Sequence, residues 1–107
     1  MKEIPIAIPP SLQCKVTGSL VESQNYDDLS QDMLEVITPS GVLIDVGWVP
    51  EFSPEGRYLV TVSQGMHEIT APMQTASVHA AAQIVESLAR QFSGGIQLTP
   101  STSPSTS

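Results

Sequence analysis

Between Leu34 and Ala89 the chain changes its hydrophobic period. Apolar residues first alternate, in runs divided by turn signals, and then recur at helical spacing. Period 2 marks a strand with one buried face, and period 3.6 marks a helix with one buried stripe. A chain written in that order describes a sheet followed by a helix that covers it. The expected fold is therefore α+β: a four- to five-stranded antiparallel sheet, mostly a meander, with one C-terminal helix packed on one face.

The best-defined strand spans 42–49. Val42, Ile44, Val46 and Trp48 share one face, and Leu43, Asp45, Gly47 and Val49 share the other. A continuously apolar face backed by a mixed one is the pattern of a half-buried antiparallel strand. Pro50 ends it. Upstream, Thr38-Pro39-Ser40-Gly41 suits a type I turn, so a strand at 33–37 forms a hairpin with 42–49. A short helical turn over 28–32 precedes that strand. Downstream, the PEFSPEG loop at 50–56 leads into a strand at 57–64 with Tyr58, Val60 and Val62 inward. Residues 67–71 read as a last short strand, with Ile69 and Ala71 inward. Residues 13–22 read as one strand, with Cys14, Val16 and Leu20 on one face and Gly18 marking a bulge or a close approach.

The helix is expected over 76–92. Val78, Ala81, Ala82, Val85, Leu88, Ala89 and Phe92 make its apolar stripe, and His79, Gln83, Glu86 and Arg90 its polar face. Thr75 or Ser77 caps its start. Glu86 precedes Arg90 by one turn, an orientation that adds ~0.3 kcal/mol as a surface pair. Burying Val78, Val85, Leu88 or Phe92 against the sheet contributes roughly 1.5–3 kcal/mol each.

The ends read differently. Residues 1–12 carry Pro5, Pro9 and Pro10, which exclude a central strand and leave an extended arm or an edge strand. Residues 13–93 form the single α+β domain. Residues 94–107 are rich in Ser, Thr and Pro and read as a disordered tail. Both ends look dispensable to the core.

Charge narrows the function. Four Lys and Arg face eleven Asp and Glu, for a net charge of −7. Nucleic-acid binding draws its affinity from bases that neutralise phosphates, and the four here are dispersed, so no nucleic-acid partner is expected. Anionic membrane surfaces are disfavoured on the same ground. The strand-strand-strand-helix order superficially resembles part of a double-stranded-RNA-binding domain. The lysine clusters and basic helix start of such domains are missing, so nothing is carried over. Charged residues are only 14% of the chain, against ~25% typically. A weakly charged surface resists association poorly. A protein partner or self-association is therefore expected, including a homodimer through the open sheet face bearing Leu43, Val49 and Leu59. The lone Cys14 excludes an internal disulfide. No leader-like segment and no apolar run of membrane-spanning length stands out, which points to a cytoplasmic protein.

Catalytic signals are absent. His67 and His79 stand twelve residues apart in a spacing that matches no zinc pattern. Cys14 reads as a small buried hydrophobe rather than a nucleophile. Phosphate loops and nucleophile elbows are missing. No metal, no cofactor and no enzymatic activity is expected. Two segments stand out instead. Glu22, Asp27, Asp28, Asp32 and Glu35 place five acids and no base in 22–35. Without the alternating pattern and glycine of a calcium loop, that segment points to a basic partner or a solvated loop. Trp48, Val49, Phe52 and Tyr58 surround the proline-stiffened 50–56 loop, an arrangement suited to an aromatic anchor. The expected partner-binding residues are Asp27, Asp28, Asp32, Trp48, Phe52 and Glu55. The expected function is a small acidic, non-enzymatic binding or accessory module, adaptor-like or inhibitor-like. The alternative is a small-molecule-binding protein or small enzyme whose site forms on oligomerisation from His67, His79 or Cys14.

Overall fold

The computed structural model describes residues 1–93. In chain order the strands are β1 (Lys2–Ile4), β2 (Lys15–Gly18), β3 (Leu20–Glu22), β4 (Leu34–Ile37), β5 (Val42–Val49), β6 (Arg57–Gln64), β7 (His67–Glu68) and β8 (Met73–Thr75). One helix, α1 (Val78–Ser93), closes the order, and two single 3₁₀ turns occupy Pro10–Leu12 and Tyr26–Asp28. The fold is α+β, with antiparallel sheets and one C-terminal helix. The larger sheet runs β2-β4-β5-β6-β7, with β8 also paired to β6, and β1 and β3 form a separate two-stranded ribbon.

β5 and β6 are the spine of the large sheet, paired from Val42↔Gln64 to Val49↔Arg57. Val36, Ile44, Val46, Val60 and Val62 face α1 and are fully buried, as are Ala81, Val85 and Ala89 on the helix. The β-branched residues suit the pleated face, and the alanines let the helix backbone approach it. Ser77 caps α1 by accepting a hydrogen bond from the Ala80 amide at 3.1 Å. Thr38 and Gly41 close the turn between β4 and β5 at 2.9 Å.

The expected strand over 13–22 is two strands in two sheets. Gly18 takes a left-handed φ of 82°, and the Ser19 amide bonds the Met33 carbonyl at 3.0 Å, turning the chain out of the large sheet. Leu20 is thereby sealed in the core, while Val16, on the outermost strand, is 46% exposed. The expected strand over 67–71 is also shorter. β7 comprises only His67 and Glu68; the Ile69 amide still bonds the Val62 carbonyl at 2.8 Å, but Ile69 and Ala71 are exposed rather than inward. The chain leaves that edge and returns as β8 opposite Tyr58–Val60. The expected helical turn over 28–32 lies earlier, at Tyr26–Asp28.

The N-terminal residues are part of the core. β1 pairs with β3, Ile4 is buried, and Ile6 and Ile8 pack against the core cluster. Glu86 turns its carboxylate to the Ala7 amide, accepting at 2.9 Å. The segment lies beside the helix, so it does not cover the open face of the sheet. The tail expected over 94–107 lies outside the described residues.

Candidate functional site

Two segments that the sequence offered as separate surfaces meet at one end of β5. Trp48 closes the apolar face there. Its indole Nε1 donates to the Ser53 carbonyl at 2.7 Å, and its ring stands edge-on to Tyr58 with centroids 5.0 Å apart. Tyr26 flanks the same indole at 6.2 Å. Trp48 is buried, so it braces the 50–56 loop from beneath instead of presenting itself to a partner. Gly56 lies against the indole so closely that no β-carbon fits between them.

Between Ser30 and Met33 the chain bulges alongside β5. The Met33 amide bonds the Val46 carbonyl at 3.1 Å, and the Trp48 amide bonds the Ser30 carbonyl at 2.9 Å. Gln31 and Asp32 are the extra residues opposite Gly47, a two-against-one arrangement that re-aims side chains. The Gln31 carbonyl sits where a Gly47 β-carbon would project, so only glycine admits the bulge. The bulge is then tied to the 50–56 loop. The Phe52 amide donates to the Leu29 carbonyl at 3.0 Å, and Glu51 Oε1 accepts from the Gln31 amide at 2.8 Å. Phe52 holds a left-handed φ of 60°, uncommon for an aromatic residue, and the residue is 46% exposed.

The acids divide by role. Asp27 is exposed on the 3₁₀ turn that Asn25 caps, its own amide donating to Asn25 Oδ1 at 3.1 Å. Asp28 is half-buried and accepts from the Ser23 hydroxyl at 2.7 Å, so it organises the loop. Asp32 is exposed on the bulge, and Glu55 is exposed on the far loop. Val49, already named around the loop, lies at this end, and Tyr26 and Glu51, which the sequence did not single out, join it. Their signal lies in the hydrogen bonds between two loops distant in sequence.

A second group of acids gathers on the sheet face away from α1. The register sets Glu35 directly opposite Asp45, with Thr17 and Thr61 as outer neighbours in the same row. The bulge brings Asp32 to them. The Asp45 carboxyl is pushed up from its ordinary value, first by burial, then by the negative charges of Glu35 and Asp32. Thr17, Asp32, Glu35 and Asp45 line a small pocket of about 160 Å³.

The residues of the alternative reading do not meet within one chain. His79 stands in the first turn of α1, while Cys14 contacts Ser93 in its last turn at 3.0 Å. A helix of that length separates them by about 20 Å. His67 lies on β7, at the opposite edge of the sheet from β2. Among the described residues no group of His, Cys, Asp and Glu has the arrangement of a metal site. None of the described helices is long and apolar enough to cross a membrane. No protein-family model matches the chain, and no curated protein or solved structure matches it at a significant level.

Proposed function

We propose that the protein is a non-enzymatic binding module that engages a basic partner protein through the end of the sheet built from the Tyr26 turn, the bulge and the 50–56 loop. The observation that carries this reading is the presentation of Phe52. Its backbone is held in a strained conformation by the bond to Leu29, and the residue stays exposed on the loop that Trp48 braces, the same indole that Tyr26 flanks. Strained backbone persists where the surroundings over-determine it and gathers at functional positions. A pre-set aromatic ring loses little freedom on binding. Asp27, Asp32, Glu51 and Glu55 are exposed on the same turn, bulge and loop that carry these aromatics, so the partner that fits is basic around an apolar socket.

The test is capture by three baits: wild type, Phe52→Ser and an Asp27→Lys/Asp32→Lys double variant. A basic partner held by wild type, lost on Phe52→Ser and released by high salt supports the surface. Equal capture by all three baits places any interaction elsewhere and ends this reading.

A further inference from the structure

The large sheet stops at β2, and the edge it leaves has a different character on each of its two faces. All four residues of β2 are exposed. The strand pairs with β4 on one side only among the described residues. The Ser19 amide bonds the Met33 carbonyl, and the Cα partners continue as Gly18↔Leu34, Thr17↔Glu35 and Val16↔Val36. In an antiparallel ladder hydrogen-bonded and non-hydrogen-bonded pairs alternate. Thr17 therefore bonds to β4, and the amide and carbonyl groups of Val16 and Gly18 point outward. On the helix side a groove of about 390 Å³ runs beside them, lined by Ile4, Ile6, Ile8, Val16, Leu20 and Leu34. On the other side lies the pocket of Thr17, Asp32, Glu35 and Asp45.

We propose that the edge of β2 takes an extended strand from a partner protein, in which apolar side chains alternate with lysine or arginine. Strand addition draws its affinity from main-chain hydrogen bonds and its specificity from pockets for alternate side chains. The two pockets here flank one strand and differ in chemistry, which matches the period of 2 of an incoming strand. Apolar residues enter the groove at Val16. Basic residues fall on the other face, where Glu35 on β4 lies about two strand spacings, roughly 10 Å, from the incoming backbone, within joint reach of a long cation and a carboxylate, with Asp45 one strand farther on. Charge also selects the occupant. A second copy of this chain would bring a second acidic pocket to the same edge, and like charges across a sheet repel. This site shares Asp32 with the Phe52 surface but does not rest on that surface.

A short capped peptide alternating valine and lysine, titrated into the full chain, is the direct probe. A glutamate version of the same peptide is the charge control. We expect the lysine peptide to bind at low salt and to protect the Val16 and Gly18 amides from hydrogen exchange. Val16→Pro removes an outward amide that the ladder does not use, a position where edge strands tolerate proline. It should weaken binding about tenfold, the equivalent of ~1.4 kcal/mol. Val16→Lys leaves the backbone unchanged at an already exposed position and should weaken it similarly. Glu35→Lys should do so with a reduced salt dependence, while Phe52→Ser should have no effect. The proposal is overturned if the lysine peptide fails to bind at millimolar concentration, if both Val16 variants bind as wild type does, or if the glutamate peptide binds equally well. It is also overturned if the free chain is a dimer whose Val16 and Gly18 amides are already protected, because a second copy then occupies the edge.

Discussion

Asp45 shows how one side chain records its surroundings. Burial, then Glu35 and Asp32, hold its carboxyl above the ordinary range in the folded chain, while unfolding returns it to the ordinary value. A raised carboxyl pKa means that the folded state binds the proton more tightly. That stabilisation is complete below the unfolded pKa and is lost as pH rises through the folded one. At neutral pH Asp45 therefore destabilises the fold. Asp45→Asn keeps an acceptor for the Val46 amide and removes the like-charge contact, a gain of about 0.2–1 kcal/mol. For a domain of this size that raises Tm by roughly 1–8 °C. Thermal melts at neutral and acid pH check it: the gain should shrink as pH falls, and an equal gain at both would exclude an electrostatic cause. Gly56 gives a prediction of opposite sign. A methyl group there strikes the Trp48 indole, and Gly56→Ala should cost about 1–3 kcal/mol by overpacking. Urea unfolding followed by Trp48 fluorescence reads both the loss and the displaced ring.

At the scale of elements, β5, β6 and α1 were legible because each has a clean period and a marked end. The stripe expected on the helix is buried from Val78 to Ala89, and Phe92 is half-buried at its close. Leu88→Asp puts an unpaired carboxylate into that interface and should leave the chain without a cooperative melt; wild-type melting would show that α1 does not pack by this stripe. Expectations failed where an element was short or turned a corner. Alternation through Cys14, Val16 and Leu20 looks continuous in sequence, yet Gly18 passes the chain between sheets. Ile69 carries a strand-forming side chain, but its amide makes this segment's last bond to β6, at Val62, and the isoleucine side chain meets solvent. Propensity is a local quantity, whereas the end of a ladder depends on whether a partner strand continues.

At the scale of the whole molecule, the N-terminal ribbon includes the edge strand that the sequence allows, but it is not dispensable to the core. The prolines of 1–12 left an extended arm or an edge strand, and the segment looked dispensable. Instead Ile4 is buried opposite Leu20, and the Ala7 amide is bound by Glu86 across the length of the chain. Removing residues 1–8 should cost at least the burial of one large aliphatic side chain, about 1.5–3 kcal/mol. The urea midpoint measures it, and an unchanged midpoint would mean that the ribbon packs without contributing. The same ribbon leaves the apolar groove beside β2, so truncation should also remove the apolar half of that edge.

What the amino-acid order determined by itself was the fold class, the buried faces of β5, β6 and α1, and the net negative charge. Those follow from periodicity and composition, which are properties of neighbours along the chain. Tertiary structure alone decided the sites. It set Trp48 inside and Phe52 outside, although both are aromatic residues of one stretch. It brought Asp32 to Asp45 through a bulge that no local pattern announces, and it left β2 at one edge of the large sheet among the described residues. Each of these depends on register and on hydrogen bonds between segments far apart in sequence, and such contacts exist only once the strands have paired.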